Sequence, residues 1–204
     1  MSILDALESE NEEVGKIYGV APGVVTNNKD EKKIGRIKLK FPWLSDNNET
    51  DWVRIATFMA GDERGSFFLP EVGDEVLVAF EQGDLNHPYV IGALWNDTAK
   101  PPETNADGKN NFRLIKSRSG HIIKLDDTAG NEKIEIVDKS NSNKVIIDTK
   151  DNKISIISNK DIEISAPNGK VTISGNEIEI KSTTTAKIEA GADMTVKGAT
   201  VNIN

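Results

Sequence analysis

The residues in this chain that carry reactive chemistry are few, and their spacing decides how each is read. The two histidines, His87 and His121, lie far apart, and there is no cysteine. A thiolate zinc site, a Cys nucleophile and a disulfide framework are therefore excluded. Ser119 and His121 are two positions apart, which on an extended strand places both on one face. No nucleophile elbow or oxyanion-hole motif accompanies them, so His121 reads as a structural histidine at the mouth of the C-terminal half. Asp126, Asp127, Asp138, Asp148 and Asp151 are the residue type of a metal site or a glycosidase pair. They sit at the corners of a repeat, where Asp favours turns by accepting bonds from its own backbone, and turn formation is the reading adopted. The string GDERG at Gly61–Gly65 lacks the Lys-Ser/Thr of a phosphate loop and reads as a hairpin turn. Lys32, Lys33, Arg36, Lys38 and Lys40 make one basic cluster, with no aromatic side chain between them on the outward face for a base to stack on. It reads as a solvated strand face or a patch meeting an acidic neighbour. No catalytic residue, metal ligand or cofactor site is expected, and the chain is not read as an enzyme.

Two halves of different chemistry must position these groups. The three Trp, two Tyr and six Phe all lie between Tyr18 and Phe112. From His121 onward the apolar content is nearly all Ile and Val among Lys, Asp, Asn, Ser, Thr and Gly, a composition suited to a thin repetitive sheet rather than a thick core. An excess of 33 acidic over 25 basic side chains argues against nucleic acid as the main partner. No apolar run approaches the ~18 residues of a spanning helix, and the acidic start MSILDALESENEEV does not read as a signal peptide. We divide the chain into an N-terminal tail (1–13), a first domain (14–96), a Pro- and Gly-containing linker (97–113) and a C-terminal domain (114–204).

The first domain reads as five strands: Val14–Thr26, Ile37–Phe41, Trp52–Ala56, Glu75–Phe80 and Tyr89–Leu94. Ile37, Leu39 and Phe41 alternate with Arg36, Lys38 and Lys40, the period of a half-buried strand. Five short strands with no amphipathic helix predict a small barrel of the OB type, with an open sandwich as the alternative.

The second domain is a repeat of short I-x-I or V-x-I elements: Ile134/Ile136, Val145/Ile147, Ile154/Ile156, Ile162/Ile164, Val171/Ile173, Ile178/Ile180, Met194/Val196 and Val201/Ile203, with a lone Ile188. As far as Ile178 their starts are separated by 7 to 11 residues. A single-chain solenoid spends ~20 or more residues per repeat, so each element supplies one strand and one corner, too little to close a coil alone. Three copies winding round one another would close it, each giving one side of a triangular prism whose axis holds Ile134, Ile136, Val145, Ile147, Ile154, Ile156, Ile162, Ile164, Val171, Ile173, Ile178 and Ile180. The expected fold is thus all-β: an N-terminal OB-fold barrel followed by an intertwined trimeric triangular β-helix. A flat meander with an exposed back is the alternative. About ten strands at ~4.8 Å per layer would make a prism of order 50 Å, longer than the ~40–45 Å of a bilayer.

Particular strings then carry a resemblance. Tyr18-Gly-Val-Ala-Pro-Gly-Val-Val, Ile34-Gly-Arg-Ile-Lys-Leu-Lys-Phe-Pro-Trp-Leu, Phe68-Leu-Pro-Glu-Val-Gly-Asp-Glu-Val and His87-Pro-Tyr-Val-Ile-Gly-Ala-Leu-Trp-Asn together resemble the OB-fold domain of phage baseplate assembly protein V and of the VgrG-type spikes of type VI secretion systems. The string Leu114–Asp127 resembles the lead-in to the β-helix of those spikes. The resemblance implies the central spike of a contractile injection system, driven through a target envelope when the sheath contracts. It implies a homotrimer on a separate hub protein, since some 14 residues precede the first strand. The terminus lacks the His-x-His of an iron-holding apex, which implies a PAAR-like tip protein, with effector cargo possible, contacting Val201, Asn202, Ile203 and Asn204. The implied location is the baseplate of a phage virion or tail-like particle, assembled in the cytoplasm and touching the target membrane transiently. Two other classes compete: an OB-fold binding module with a β-repeat stalk, and a trimeric β-helical polysaccharide depolymerase. The first needs an outward aromatic platform and the second exposed aromatics with paired carboxylates; the second half has no aromatic from His121 on.

Overall fold

A computed structural model describes residues 15–44 and 48–203. The N-terminal tail 1–13 and Asn204 of the expected tip contact lie outside the described residues. Among the described residues all regular structure is strand apart from one 3-10 turn at Glu81–Gly83.

The first sheet runs in the order β2-β1-β6-β7-β3, built from β1 (Val20–Asn27), β2 (Lys38–Lys40), β3 (Arg54–Ile55), β6 (Glu75–Phe80) and β7 (Pro88–Leu94). Its neighbours are antiparallel except β3 and β7, which pair in parallel. The two outer strands meet through Ile37 and Val53, which exchange backbone bonds of 3.0 and 2.7 Å. The sheet thereby closes on itself, which is how a five-stranded barrel removes its edges. Along β6 the sequence EVLVAF alternates outward and inward, sending Val76, Val78 and Phe80 to the interior. They meet Ala21, Val25, Ile37, Leu39, Phe41, Val53 and Val90, all under 9% exposed. Gly23 on β1 is buried among them: a Cβ there would already touch the Phe41 ring and Val78 at 3.4 Å. The missing side chain lets Phe41 come in against Phe80, ring centroids 5.6 Å apart.

The expected strands Glu75–Phe80 and Tyr89–Leu94 are found with the same or nearly the same bounds, whereas the second and third shorten to Lys38–Lys40 and Arg54–Ile55 and the first runs from Val20 to Asn27. The first regular pairing begins at Val20; upstream of it Ile17 donates to the Gly83 carbonyl at 2.8 Å. The GDERG string is the turn of a further hairpin, β4 (Ala60–Gly61) with β5 (Arg64–Gly65). Gly65 has φ +148 and a Cβ there would lie 2.4 Å from the Met59 carbonyl oxygen, so this return of the chain requires glycine.

The second sheet is an antiparallel meander, β8 (Phe112–Lys116), β9 (Ile122–Asp126), β10 (Lys133–Val137), β11 (Lys144–Asp148) and β12 (Lys153–Ile157), each strand paired with its neighbours in sequence. It starts at Phe112, two residues inside the stretch read as linker. The first repeat elements therefore find backbone partners within their own chain, as the meander alternative allows, because turns of four to six residues return each five-residue strand beside its predecessor. From 158 to 203 the described residues contain no strand pairing, and no described helix is long and apolar enough to cross a membrane.

Candidate functional site

The register of the meander places side chains in rows across the sheet. Ile115, Ile123, Ile136, Val145 and Ile156 are directly opposed from strand to strand and form one row. Arg113, Leu125, Ile134, Ile147 and Ile154 form the second row on the same face, two residues along. Apart from Arg113, which donates to Asp127 and to the Asn110 carbonyl, this face is wholly aliphatic. Its nine apolar side chains are 37–69% exposed, whereas Ile146 and Val137 on the opposite face are half-buried. On that opposite face Lys124 pairs with Glu135 and lies 5.2 Å from the Phe112 ring centroid. Asp126 is also there, 8% exposed. Burial pushes its pKa up, but the Thr128 hydroxyl and N–H and the Lys124 charge outweigh this and hold it below the usual aspartate value.

One sheet thus carries a mixed face of paired charges and mostly half-buried apolar side chains, and an uncovered aliphatic one. Of the twelve expected axis residues, Ile134, Ile136, Val145, Ile147, Ile154 and Ile156 are brought together on it. Ile162 joins them at a groove of about 590 Å³ along the first row. Ile164, Val171, Ile173, Ile178 and Ile180 follow on the unpaired run, 49–76% exposed. Val201 and Ile203 lie at its far end, 49% and 91% exposed. Three members of the face escaped the sequence reading: Ile115, Ile123 and Leu125. A partial signal was present in Ile123-Lys124-Leu125, but the apolar neighbours Leu114 and Ile122 on the other face hide it.

The exit of the chain from the meander is held in place. The Asn143 Oδ1 accepts from the Asn159 N–H at 3.1 Å and from the Ser158 hydroxyl at 3.2 Å. Asn143 in turn donates from its backbone and side-chain nitrogens to the Asp138 carboxylate, both at 3.1 Å. Asp138 also accepts from the Ser140 hydroxyl and the Ser142 N–H, and the Ser140 bond leads in lowering its pKa to about 2.

The remaining residues singled out by type take structural positions. Asp126 accepts from the Thr128 N–H and Asp148 from the Asp151 N–H, each across a turn. Asp127 pairs with Arg113. Ser119 and His121 lie in the β8–β9 turn rather than on a strand. There the His121 Nδ1 accepts from the Lys139 N–H at 3.3 Å, and the Ser119 hydroxyl faces Ser117. His87 Nδ1 sits 2.9 Å from Asp84. No group of three or more potential metal ligands occurs among the described residues.

The basic cluster needs one correction. Its face does contain an aromatic: Trp52 comes across the Ile37/Val53 bridge and stands 5.7 Å from the Arg36 guanidinium and 5.6 Å from the Lys38 amine. The spacing along a single strand could not show it. These cations are already engaged, Arg36 in a fork with Asp30 and Lys38 at 2.9 Å from Glu49. The Arg36 bonds hold the Asp30 carboxyl far below its ordinary range. The barrel also bears an apolar surface that sequence reasoning did not single out. Phe67, Phe68 and Ile34 line a groove of about 610 Å³ beside the β4–β5 hairpin and are 63–77% exposed.

Comparison with known proteins agrees with this architecture. Residues 21–95 match the type VI secretion system/phage-baseplate injector OB domain family. The type VI secretion system spike protein VgrG3 of Vibrio cholerae serotype O1 is 36% identical over 108 residues, 49% of this chain and 11% of that protein. The spike protein VgrG2a of Pseudomonas aeruginosa is 34% identical over 103 residues, 46% of this chain and 12% of its own. VgrG1a of the same species is 28% identical over 145 residues, 64% of this chain and 23% of its own, a stretch longer than the barrel. The chain thus corresponds to a minor part of each relative's length. Residues 21–95 belong to the type VI secretion system/phage-baseplate injector OB domain family, and the chain that carries them is a relative of the VgrG-type baseplate and spike proteins.

Proposed function

We propose that the protein is a central spike that acts as a homotrimer, docked on a separate hub protein by its barrels, and is driven through the target envelope when a sheath contracts. The observation that carries this is the set of uncovered aliphatic side chains, aligned in two rows across the meander and recurring along the unpaired run as far as Ile203. A chain that leaves so many Ile and Val side chains about half exposed or more requires a partner with the same repeat, and its own copies supply one. Wound together, the axis residues named above are removed from water while the outward Lys, Glu, Asp and Thr keep the shaft from lodging in lipid. Each layer adds ladder bonds that must break together for the shaft to bend. The Phe67/Phe68 groove on the barrel is the surface offered to the hub. At the opposite end Val201–Asn204 would meet a PAAR-like tip, with effector cargo travelling on it, in a particle assembled in the cytoplasm. Nothing in this scheme calls for catalysis or a cofactor.

The test is the mass of the purified full chain by light scattering at micromolar concentration. A particle of three times 22.3 kDa is expected. A species that stays at 22.3 kDa would sink the intertwined spike.

A further inference from the structure

The meander and the run that follows it differ in what they lack. In β8–β12 each strand is paired with its sequence neighbours inside the chain, and what is left unmet is the aliphatic face and the outer edges of β8 and β12. From Ser158 on, the aliphatic side chains and most of the backbone are unmet: among the described residues of this run the backbone-to-backbone bonds reduce to one turn, Gly169 N–H to the Ala166 carbonyl at 3.1 Å. The boundary is marked by the Asn143 clamp, which holds Ser158 and Asn159 so that Ile162 reaches the end of the first aliphatic row.

We propose that the aliphatic face of the meander is the surface on which three copies of this chain first meet, and that residues 159–203 acquire their strand pairing only afterwards, layer by layer from the clamp. This rests on the trimeric reading above and adds an order to it. Nine aliphatic side chains, about half exposed, leave on the order of 800 Å², what one partner contributes to an interface of standard size. That face already has its backbone ordered when two copies collide, so its burial is opposed by the loss of overall motion and by side-chain ordering, without a backbone cost. The run 159–203 must instead fix each residue's backbone, at ~1–2 kcal/mol apiece, before any layer is complete, and each layer needs three strands at once. Docked meanders bring the three runs to a common start. The third-order step becomes local, at an effective concentration in the millimolar range or above. The clamp sets the direction, since Asn143 Oδ1 fixes the first residues of the run against the β10–β11 turn.

Two full-length variants separate this order from its reverse. Ile136→Lys places a charge in the middle of the first row, and Ile180→Lys places one in the unpaired run. At 5 μM, Ile136→Lys is expected to be monomeric, with a circular dichroism spectrum showing the barrel intact. Ile180→Lys is expected to keep the trimer mass while amides from 175 to 203 exchange at least tenfold faster than in the parent. A trimeric Ile136→Lys or a monomeric Ile180→Lys would overturn the order while leaving the spike reading intact. A monomeric parent would remove both. As a further check, Asn143→Ala is expected to slow trimer formation after dilution from denaturant several-fold without changing the mass reached; an unchanged rate would remove the clamp from the scheme.

Discussion

Ile147→Ala tests the uncovered face by magnitude. The substitution removes three carbons, worth about 2.4 kcal/mol at ~0.8 kcal/mol for each buried CH₂. Within a single chain Ile147 is 43% exposed, so that share of the transfer energy, about 1 kcal/mol, is left to be gained on assembly. The rest is already realised inside the sheet and should appear as a loss of about 1.4 kcal/mol in the chain's own stability. Three chains lose about 3 kcal/mol together, which raises the trimer dissociation constant by on the order of 100-fold. Sedimentation equilibrium across a dilution series measures this directly. Ile146→Ala is the internal control: Ile146 is one residue earlier on β11, on the opposite half-buried face. It should weaken the sheet without shifting the association constant. If Ile147→Ala and Ile146→Ala shift association equally, the aliphatic rows are not the contact surface and the reasoning from register fails.

Two further outcomes follow from the barrel and the turn. Leu39 is fully buried between strands, so Leu39→Ala should destabilise the barrel by about 2–5 kcal/mol, read from tryptophan fluorescence in urea; a change under 1 kcal/mol would contradict its place in the core. Asp138 has a folded pKa lowered to about 2 by the Ser140 hydroxyl and the Asn143 and Ser142 N–H groups, against 3.8 ordinarily. A depressed acid stabilises the fold above its unfolded pKa, and the contribution is lost as pH falls from about 4 through 2. The Ser142 and Asn143 amide resonances should move over that window, and Asp138→Asn should abolish the response.

The barrel strands were legible because their alternation is clean: Ile37, Leu39 and Phe41 face inward and the basic residues outward, and the structure keeps that division. The hairpin at Ala60–Gly65 was legible only as a turn, since strands of two residues carry no period. The meander was harder. I-x-I elements state which side chains share a face, yet they do not state whether the neighbouring strand belongs to the same chain, because antiparallel pairing within a chain and winding between chains ask for the same alternation. Ile115, Ile123 and Leu125 were missed for a related reason: Leu114 and Ile122 are apolar too, and only the cross-strand register separates the two sides.

What the sequence determined by itself was the contrast between an aromatic-rich first half and an aliphatic repeat, the faces of the alternating strands, and the turn duty of Asp126, Asp138 and Asp148. These depend on local periodicity and on side chains bonding their own backbone. The tertiary structure decided the rest. It brought Trp52 over the basic cluster, closed the barrel through Ile37 and Val53, and aligned Ile115 to Ile156 into a row. It also divided the repeat at Ser158 into a part paired within the chain and a part left without partners. Each of these is a relation between residues distant along the chain, and a one-dimensional period contains no term for which strand lies beside which.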